Sequence, residues 1–469
     1  MYERHLGESP VTVPPIPASG FSARPSDAPT IPVMALTGIA RYPRPTGLRP
    51  SAALAAAAAA ALLALALTAA LAAVSVVRLL TGGDGAGGDF ASIYAAGRMI
   101  VSGDGALLYH AAAQESLQQS LYPGHLAHYN PYVLPAFVAW LMAPLAKMDF
   151  GVAFAVWAAI NLALLVVAVR ALAAWLAPVP AMPRRALLAV FVCSMPVVAN
   201  ALFGQVDLFV FAGVLFGWLL LERDRPVAAG FALSLALCKP HLLAGIVLLL
   251  LVQRRWRPLL VLAAVALPLL VLPALLLGPG VLLDNVAALI SFPGSNAADA
   301  VNAGVMPNWR GFVVSLSGRN DAWLWLPGAA LIAAAAMALA LRRWLADGAA
   351  RLAPQSYALA VLLPLLVSPH LHTQSLMLLF VPVALALRAR FEHGGDADAQ
   401  ARATMLLLAL HAALFALWLS AALGLAPMIF LVAAIFVSAA CRWPTTANSK
   451  QQTAKPPATS HQPPATSDQ

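Results

Sequence analysis

Charge is what this chain lacks most. Only 10% of its 469 residues are Asp, Glu, Lys or Arg, while 61% are hydrophobic. Soluble globular domains carry about 25% charged residues, so a water-soluble domain is excluded. Barrel strands are excluded too, because they need only about ten residues each and the apolar runs here are far longer. Cysteine is nearly absent, with three in all. Cys193, Cys238 and Cys441 each lie inside an apolar run, which gives neither metal spacing nor a disulfide framework. The chain has no P-loop, no GxGxxG on a strand, no GxSxG elbow and no CxxC pair. Acids are sparse: Asp84, Asp89, Asp104 and Glu115 are those of the first polar connection, and they form no tight Asp-x-Asp pair. The formal charge of +9 comes from Arg clusters in short loops, which read as topology signals rather than a nucleic-acid footprint.

What remains is an all-α polytopic membrane protein. Residues 1–50 are Pro-rich and polar, carry no secretory-leader pattern and are expected to be a disordered cytoplasmic segment. Residues 442–469, rich in Pro, Thr, Ser and Gln, are expected to be a disordered cytoplasmic tail. Between them, 51–441 form one membrane domain with about 11–13 spans. Arg184-Arg185, Arg223/Arg225, Arg254-Arg255/Arg257, Arg342-Arg343 and Arg388/Arg390 mark the cytoplasmic side, so the two long connections 79–131 and 278–322 face outward. The count does not close, however. Arg184-Arg185 falls outside when counted from one end and inside when counted from the other. One run between 132 and 252 must therefore be broken, merged or re-entrant, and the 227–252 stretch, interrupted by Lys239-Pro240, is the first suspect.

Ionisable groups at membrane depth are costly and mark functional candidates. Asp89 stands just past the first apolar run and opens a helical pattern carried by Phe90, Ile93, Tyr94, Gly97 and Ile100. It can cap that helix or act chemically, and the helix is expected to lie flat at the interface with Ser92 and Arg98 toward water. Gly204-Gln205-Val206-Asp207 breaks two apolar runs, either as a plain turn or as a rim of groups that bind hydroxyls. Lys239-Pro240-His241 joins a helix-bending proline to a cation suited to phosphate. Ser368-Pro369-His370-Leu371-His372 sets two imidazoles at i, i+2, which share no helical face. This argues against a zinc pair and for hydrogen bonding or proton handling. Arg310, in Met306-Pro307-Asn308-Trp309-Arg310-Gly311, runs against the positive-inside trend and calls for an anionic partner such as a headgroup or phosphate.

Taken in order, these segments resemble the polyprenyl-phosphate-sugar-dependent glycosyltransferases of family 87, a mannosyltransferase-like group with a GT-C fold. The resemblance covers roughly 85–441. It is carried by Asp89-Phe90 with Tyr94, Gly103 to Leu108-Tyr109, Tyr129-Asn130-Pro131 and Pro144-Leu145-Ala146. Further along come Gly204-Gln205, Gly230 to Lys239-Pro240, Asn308-Trp309-Arg310-Gly311 and Ser368-Pro369-His370. The chain departs from the family at Pro131-Tyr132, often a double proline, and at His370-Leu371-His372, where a Trp and another His pattern are usual.

The resemblance implies an inner-membrane enzyme of bacterial type with its active site on the periplasmic face. Asp89 would be the general base, with Asp104 the second choice. Lys239 and Arg310 would hold the donor phosphate, and Gln205 and His370 would line the sugar pocket. Tyr94, Tyr109, His241, Asn308 and His372 complete the expected substrate-binding set. Its donor would be a polyprenyl-phosphate-linked hexose and its acceptor a lipid or glycan, among membrane lipids, with no nucleic acid, cofactor or metal. A flippase of lipid-linked sugar would be expected to show internal repeats. An O-antigen polymerase or ligase would keep its large outward loop late in the chain.

Overall fold

A computed structural model describes residues 52–80, 88–121, 129–291, 303–348, 352–392, 394–423 and 430–441. The two ends expected to be disordered, 1–50 and 442–469, lie outside these described residues. All that is described belongs to one compact unit beginning at Ser51, and it is helical, without a strand among the described residues. In chain order the helices are α1 (Ala52–Leu80), α2 (Gly88–Ser102), α3 (Ala111–Leu121), α4 (Ala136–Met142), α5 (Phe150–Trp175) and α6 (Ala181–Cys193). Then come α7 (Met195–Phe203), α8 (Asp207–Glu222), α9 (Pro226–Ser234), α10 (Pro240–Val252), α11 (Trp256–Leu277) and α12 (Gly280–Ser291). The last six are α13 (Trp309–Ser317), α14 (Ala322–Asp347), α15 (Pro354–Val367), α16 (Phe380–Phe391), α17 (Ala397–Ala422) and α18 (Phe430–Cys441).

Six stretches are long and apolar enough to cross a bilayer: α5, α6 with α7, α11, α14, Thr373–Phe391 and most of α17. Four shorter apolar helices accompany them, at Ala58–Val74, Pro226–Cys238, Pro240–Val252 and Pro354–Val367. The expected polytopic helical fold is therefore what the chain adopts. Burial sorts its members: only 11% of the apolar window of α11 and 17% of that of α14 is covered by protein, against 72% for Thr373–Phe391. The first two face lipid and the third runs through the centre. Beside it, every residue of α15 from Gln355 to Leu365 is buried. A Cβ at Gly245 would collide with the Ala360 carbonyl, so only glycine lets α10 approach α15 this closely.

The structure resolves the parity problem at a different place from the one suspected. The 227–252 stretch is indeed broken: α9 passes into a 3-10 turn, Leu235–Cys238, and α10 starts afresh at Pro240. Counted as two spans, however, its arms leave the parity unchanged. The apolar run 132–148, which follows the outward connection 79–131 and counts as a span by hydropathy, is the surplus one. It holds only the seven-residue α4 and a 3-10 turn at Leu145–Lys147. At 1.5 Å per residue α4 is about 10 Å long, a third of the hydrocarbon thickness. Pro135 begins it and Pro144 ends it, as a residue without an N–H and with a fixed φ should. Without this run the count closes with the Arg clusters at one end. That end is pinned where Arg388 donates to the Trp175 carbonyl (2.6 Å) and Trp175 Nε1 donates to Glu222 (2.6 Å).

The helix α2 also differs from expectation. It is buried from Phe90 through Gly97 rather than lying flat on water. Ser92 Oγ donates to the Asp89 carbonyl (2.9 Å), and Arg98 reaches back to the Ala146 carbonyl (3.0 Å). The cause is the same misread run, which folds over α2 instead of leaving for the far side of the membrane.

Candidate active site

Asp89 lies in the first turn of α2, where the helix dipole favours an anion. It is held from outside its own helix. Gln114 and Gln118, one turn apart on α3 and 2% and 1% exposed, clamp the segment that runs from Tyr129 to Tyr132. Gln114 Oε1 accepts from the Tyr132 N–H (2.7 Å) and the Tyr129 hydroxyl (3.2 Å). Gln118 accepts from the Asn130 N–H (3.1 Å) and donates to the Asn130 carbonyl (2.7 Å). So fixed, Asn130 turns its amide onto Asp89, with Nδ2 donating to Oδ1 at 2.7 Å and to the Gly88 carbonyl at 3.0 Å. Among the described residues nothing donates to the second carboxylate oxygen, which is left to accept a proton.

The facing wall comes from two distant segments. Asn308 caps α13 by accepting from the Gly311 N–H (2.8 Å) and donates to the Ser368 carbonyl (2.9 Å). Ser368 in turn accepts from the His370 N–H (3.3 Å). This stretch is not helical, so the i, i+2 spacing does not separate the imidazoles; His370 and His372 meet edge to face at 4.8 Å. Both rings keep some open surface, yet the surrounding protein pushes both pKa values below the ordinary histidine value. At His372 the Asp89 carboxylate opposes that shift, while Lys239 and Arg310 add to it. Asp89 and Arg310 therefore both lie near enough to His372 to act on it electrostatically. Arg310 is 4% exposed; its Nε donates to Asn320 (3.0 Å) and its plane lies 5.3 Å from the centre of the Trp325 ring.

Lys239 sits deeper. Its Nζ is 2.7 Å from Asp207 Oδ2, and Asp207 Oδ1 accepts from Ser375 Oγ at 2.6 Å. The ion pair ties α8 to the break before α10 and to the 3-10 turn Thr373–Leu379 that follows His372. The anionic partner that a buried lysine requires is thus a residue of the chain itself. His241 lies alongside, near enough to act electrostatically on His370. Gln205 is half-buried in the turn between α7 and α8. That turn depends on Gly204, which has φ +71° and a Cβ position only 2.6 Å from the Phe90 Cβ. Gly204→Ala adds a left-handed penalty of about 1–2 kcal/mol to overpacking of about 1–3 kcal/mol. Because Phe90 adjoins Asp89, the variant is expected to melt several degrees lower in detergent and to lose activity. An unchanged melting midpoint would refute this packing argument.

Two of the expected substrate-binding residues have their hydroxyls engaged by the fold. Tyr94 donates to the Met148 carbonyl (2.6 Å) and Tyr109 to the Leu134 carbonyl (2.7 Å), and burial raises both phenol pKa values. Asp104 is exposed beyond the far end of α2, about 20 Å along the axis from Asp89. Among the described residues no three His, Cys, Asp or Glu side chains are grouped so as to hold a metal ion. Sequence reasoning quoted Asn130 without giving it a role, and it missed Gln114, Gln118, Asn320 and Ser375. The paired glutamines one turn apart were the only local signal.

The sequence model of Glycosyltransferase family 87 matches residues 132–369, just over half of the chain. No curated protein and no solved structure matches it. The matched span contains Gln205, Lys239, Asn308 and Arg310 but neither Asp89 nor the two histidines, so the part played by those three rests on geometry.

Proposed function

Because the chain belongs to glycosyltransferase family 87 and is a membrane glycosyltransferase, we propose that it moves a mannose-like hexose from a polyprenyl-phosphate donor to a lipid or glycan acceptor. What supports this reading is Asp89, fixed by Asn130 at 2.7 Å and near enough to His372 to act on it electrostatically, as Arg310 also is. A base on one side and a cation on the other are what displacement at an anomeric carbon requires.

In this reading Asp89 takes the proton of the acceptor hydroxyl. The acceptor oxygen forms a bond to the anomeric carbon as the bond from that carbon to the phosphate oxygen breaks. The electron pair leaves with the lipid phosphate, whose charge Arg310 receives. His370 and His372, held below their ordinary pKa by burial, offer neutral imidazoles that hydrogen-bond sugar hydroxyls, and the Gln205 amide offers a further partner for hydroxyls. Asn308 serves by placing the Ser368–His372 segment, and Lys239 by holding Asp207. The Arg-rich end faces the cytoplasm under the positive-inside rule, so the site opens on the periplasmic face of a bacterial inner membrane. Residues 51–441 are the transferase domain. A lipid phosphate met by a guanidinium is a competent leaving group, and the reaction is proposed to need no metal.

The test is transfer of label from a short-chain polyprenyl-phospho-mannose to a membrane lipid extract by the purified protein, with and without EDTA. Transfer that survives EDTA is the expected result. Transfer from a nucleotide sugar alone would refute the donor class, and transfer abolished by EDTA and restored by a divalent ion would refute the metal-free step.

A further inference from the structure

The helix α3 reads Ala-Ala-Ala-Gln-Glu-Ser-Leu-Gln-Gln-Ser-Leu, and its buried face is the reverse of an ordinary amphipathic helix. Gln114 and Gln118 are its buried residues, while Leu117 and Leu121 stay partly exposed. Spaced i, i+4, the two amides lie on one face, where a helix made only for packing would carry leucine. A buried amide costs free energy unless its hydrogen bonds are made, and both make them. Gln114 donates to the Leu108 carbonyl as well as holding Tyr129 and Tyr132. Gln118 matches the Asn130 backbone in both directions, accepting from its N–H (3.1 Å) and donating to its carbonyl (2.7 Å). Asn130 is thus located by its main chain, which leaves its side chain to locate something else.

That something is Asp89. Asn130 Nδ2 donates to Asp89 Oδ1 at 2.7 Å and to the Gly88 carbonyl at 3.0 Å. Both partners are acceptors, so the amide cannot turn over without setting its own oxygen against a carbonyl and a carboxylate. The carboxylate is the loose part, because rotation about the last bond of an aspartate is broad and two-fold. Held through Oδ1, it presents Oδ2 in one direction. A general base has to stand about 2.6–3.2 Å from the oxygen whose proton it takes. A misplacement of about 1 Å can cost about 100-fold in rate, so the brace bears directly on turnover.

We infer that Asn130 is the positioning residue of the proposed base and that Gln118, on α3, positions Asn130 in turn. The brace lies wholly within the outward connection 79–131, ahead of the span 132–369 that the family model matches. That connection therefore contributes twice to the reaction, with the base and with the device that aims it. The inference rests on Asp89 as the base and adds what sets its aim.

The test is steady-state transfer by the detergent-purified full chain with the polyprenyl-phospho-mannose donor varied, alongside melting without ligand. Asn130→Ala is expected to lower kcat about 10–100-fold with donor KM within about threefold of wild type. Asn130→Asp keeps the shape and sets two carboxylates together, which then share a proton; it should lose at least as much. Gln118→Met keeps the length of the side chain, removes both bonds to Asn130 and should lower kcat about three- to tenfold. The decisive comparison is the double variant. In an Asp89→Asn background, Asn130→Ala should cost less than about a further twofold, because residues that act as a unit are not additive. Losses that multiply would mean that Asn130 only stabilises the fold, and would overturn the inference. So would wild-type kcat in folded Asn130→Ala beside an inactive Asp89→Asn, a result that leaves Asp89 standing as the base. Full activity in Asp89→Asn would sink the base and its brace together. Should Asn130→Ala not fold, Gln118→Met takes its place in the same cycle.

Discussion

Asp89→Asn is expected to yield a folded protein whose transfer rate falls by about 100-fold or more, the range for removal of a general base. The substitution isolates chemistry from architecture. Asparagine serves the start of a helix about as well as aspartate does, and its carbonyl oxygen can still accept from Asn130, which donates to Oδ1 at 2.7 Å. What disappears is the second oxygen as a proton acceptor. Asp89→Ala would be a poorer test, because it also leaves the half-buried Asn130 amide with only the Gly88 carbonyl as acceptor and loosens the segment that Gln118 clamps. The measurement is steady-state transfer with donor varied, together with the melting midpoint. The loss should lie in kcat with donor KM nearly unchanged, as for an interaction made only in the transition state. Full activity in folded Asp89→Asn would reduce Asp89 to a helix-starting residue. It would also leave the reaction without a base near His372, since the other acid considered, Asp104, is exposed beyond the far end of α2.

How much of this arrangement the chain announces depends on the distance over which each feature is specified. The break at Lys239-Pro240 was readable because proline cannot continue a helix without losing a hydrogen bond and a lysine at membrane depth demands an explanation. Its partner was not readable, because Asp207 lies 32 residues away and only the packing of α8 against α9 and the turn that follows brings the two together. Pro135 and Pro144 were a local signal that 132–148 does not span, and hydropathy alone outweighed it. That misreading carried over to α2, since only a chain that folds back over α2 can bury Ser92 and draw Arg98 onto the Ala146 carbonyl. The histidines failed differently: the i, i+2 argument holds on a helix, and Ser368–His372 is not one. Asp89, Arg310 and the His370/His372 segment were each singled out by the rarity of ionisable groups in an apolar chain. Their convergence is tertiary and could not be read from local pattern.

Lys239 provides the second large effect. A phosphate-binding role was expected for it, whereas the structure places its ammonium 2.7 Å from Asp207, with both side chains buried (8% and 1% exposed). Lys239→Ala should therefore be among the most destabilising single changes in the chain, at about 3–5 kcal/mol, because it leaves the Asp207 charge buried with Ser375 as its only side-chain donor among the described residues. Folding loss alone would not separate the two roles. The double variant Lys239→Met, Asp207→Leu does, because replacing a buried ion pair by apolar groups of similar volume is often neutral or stabilising. If Lys239 is a pin, the double variant should recover most of the lost melting temperature, and its donor KM should stay within about threefold of wild type. If Lys239 is a phosphate ligand, stability should return while donor KM rises tenfold or more, as expected when binding energy shared by substrate and transition state is removed. The first outcome follows from the geometry: Asp207 already occupies the lysine, and Arg310, with one buried N–H lacking a partner, is the cation with a hydrogen bond still to give.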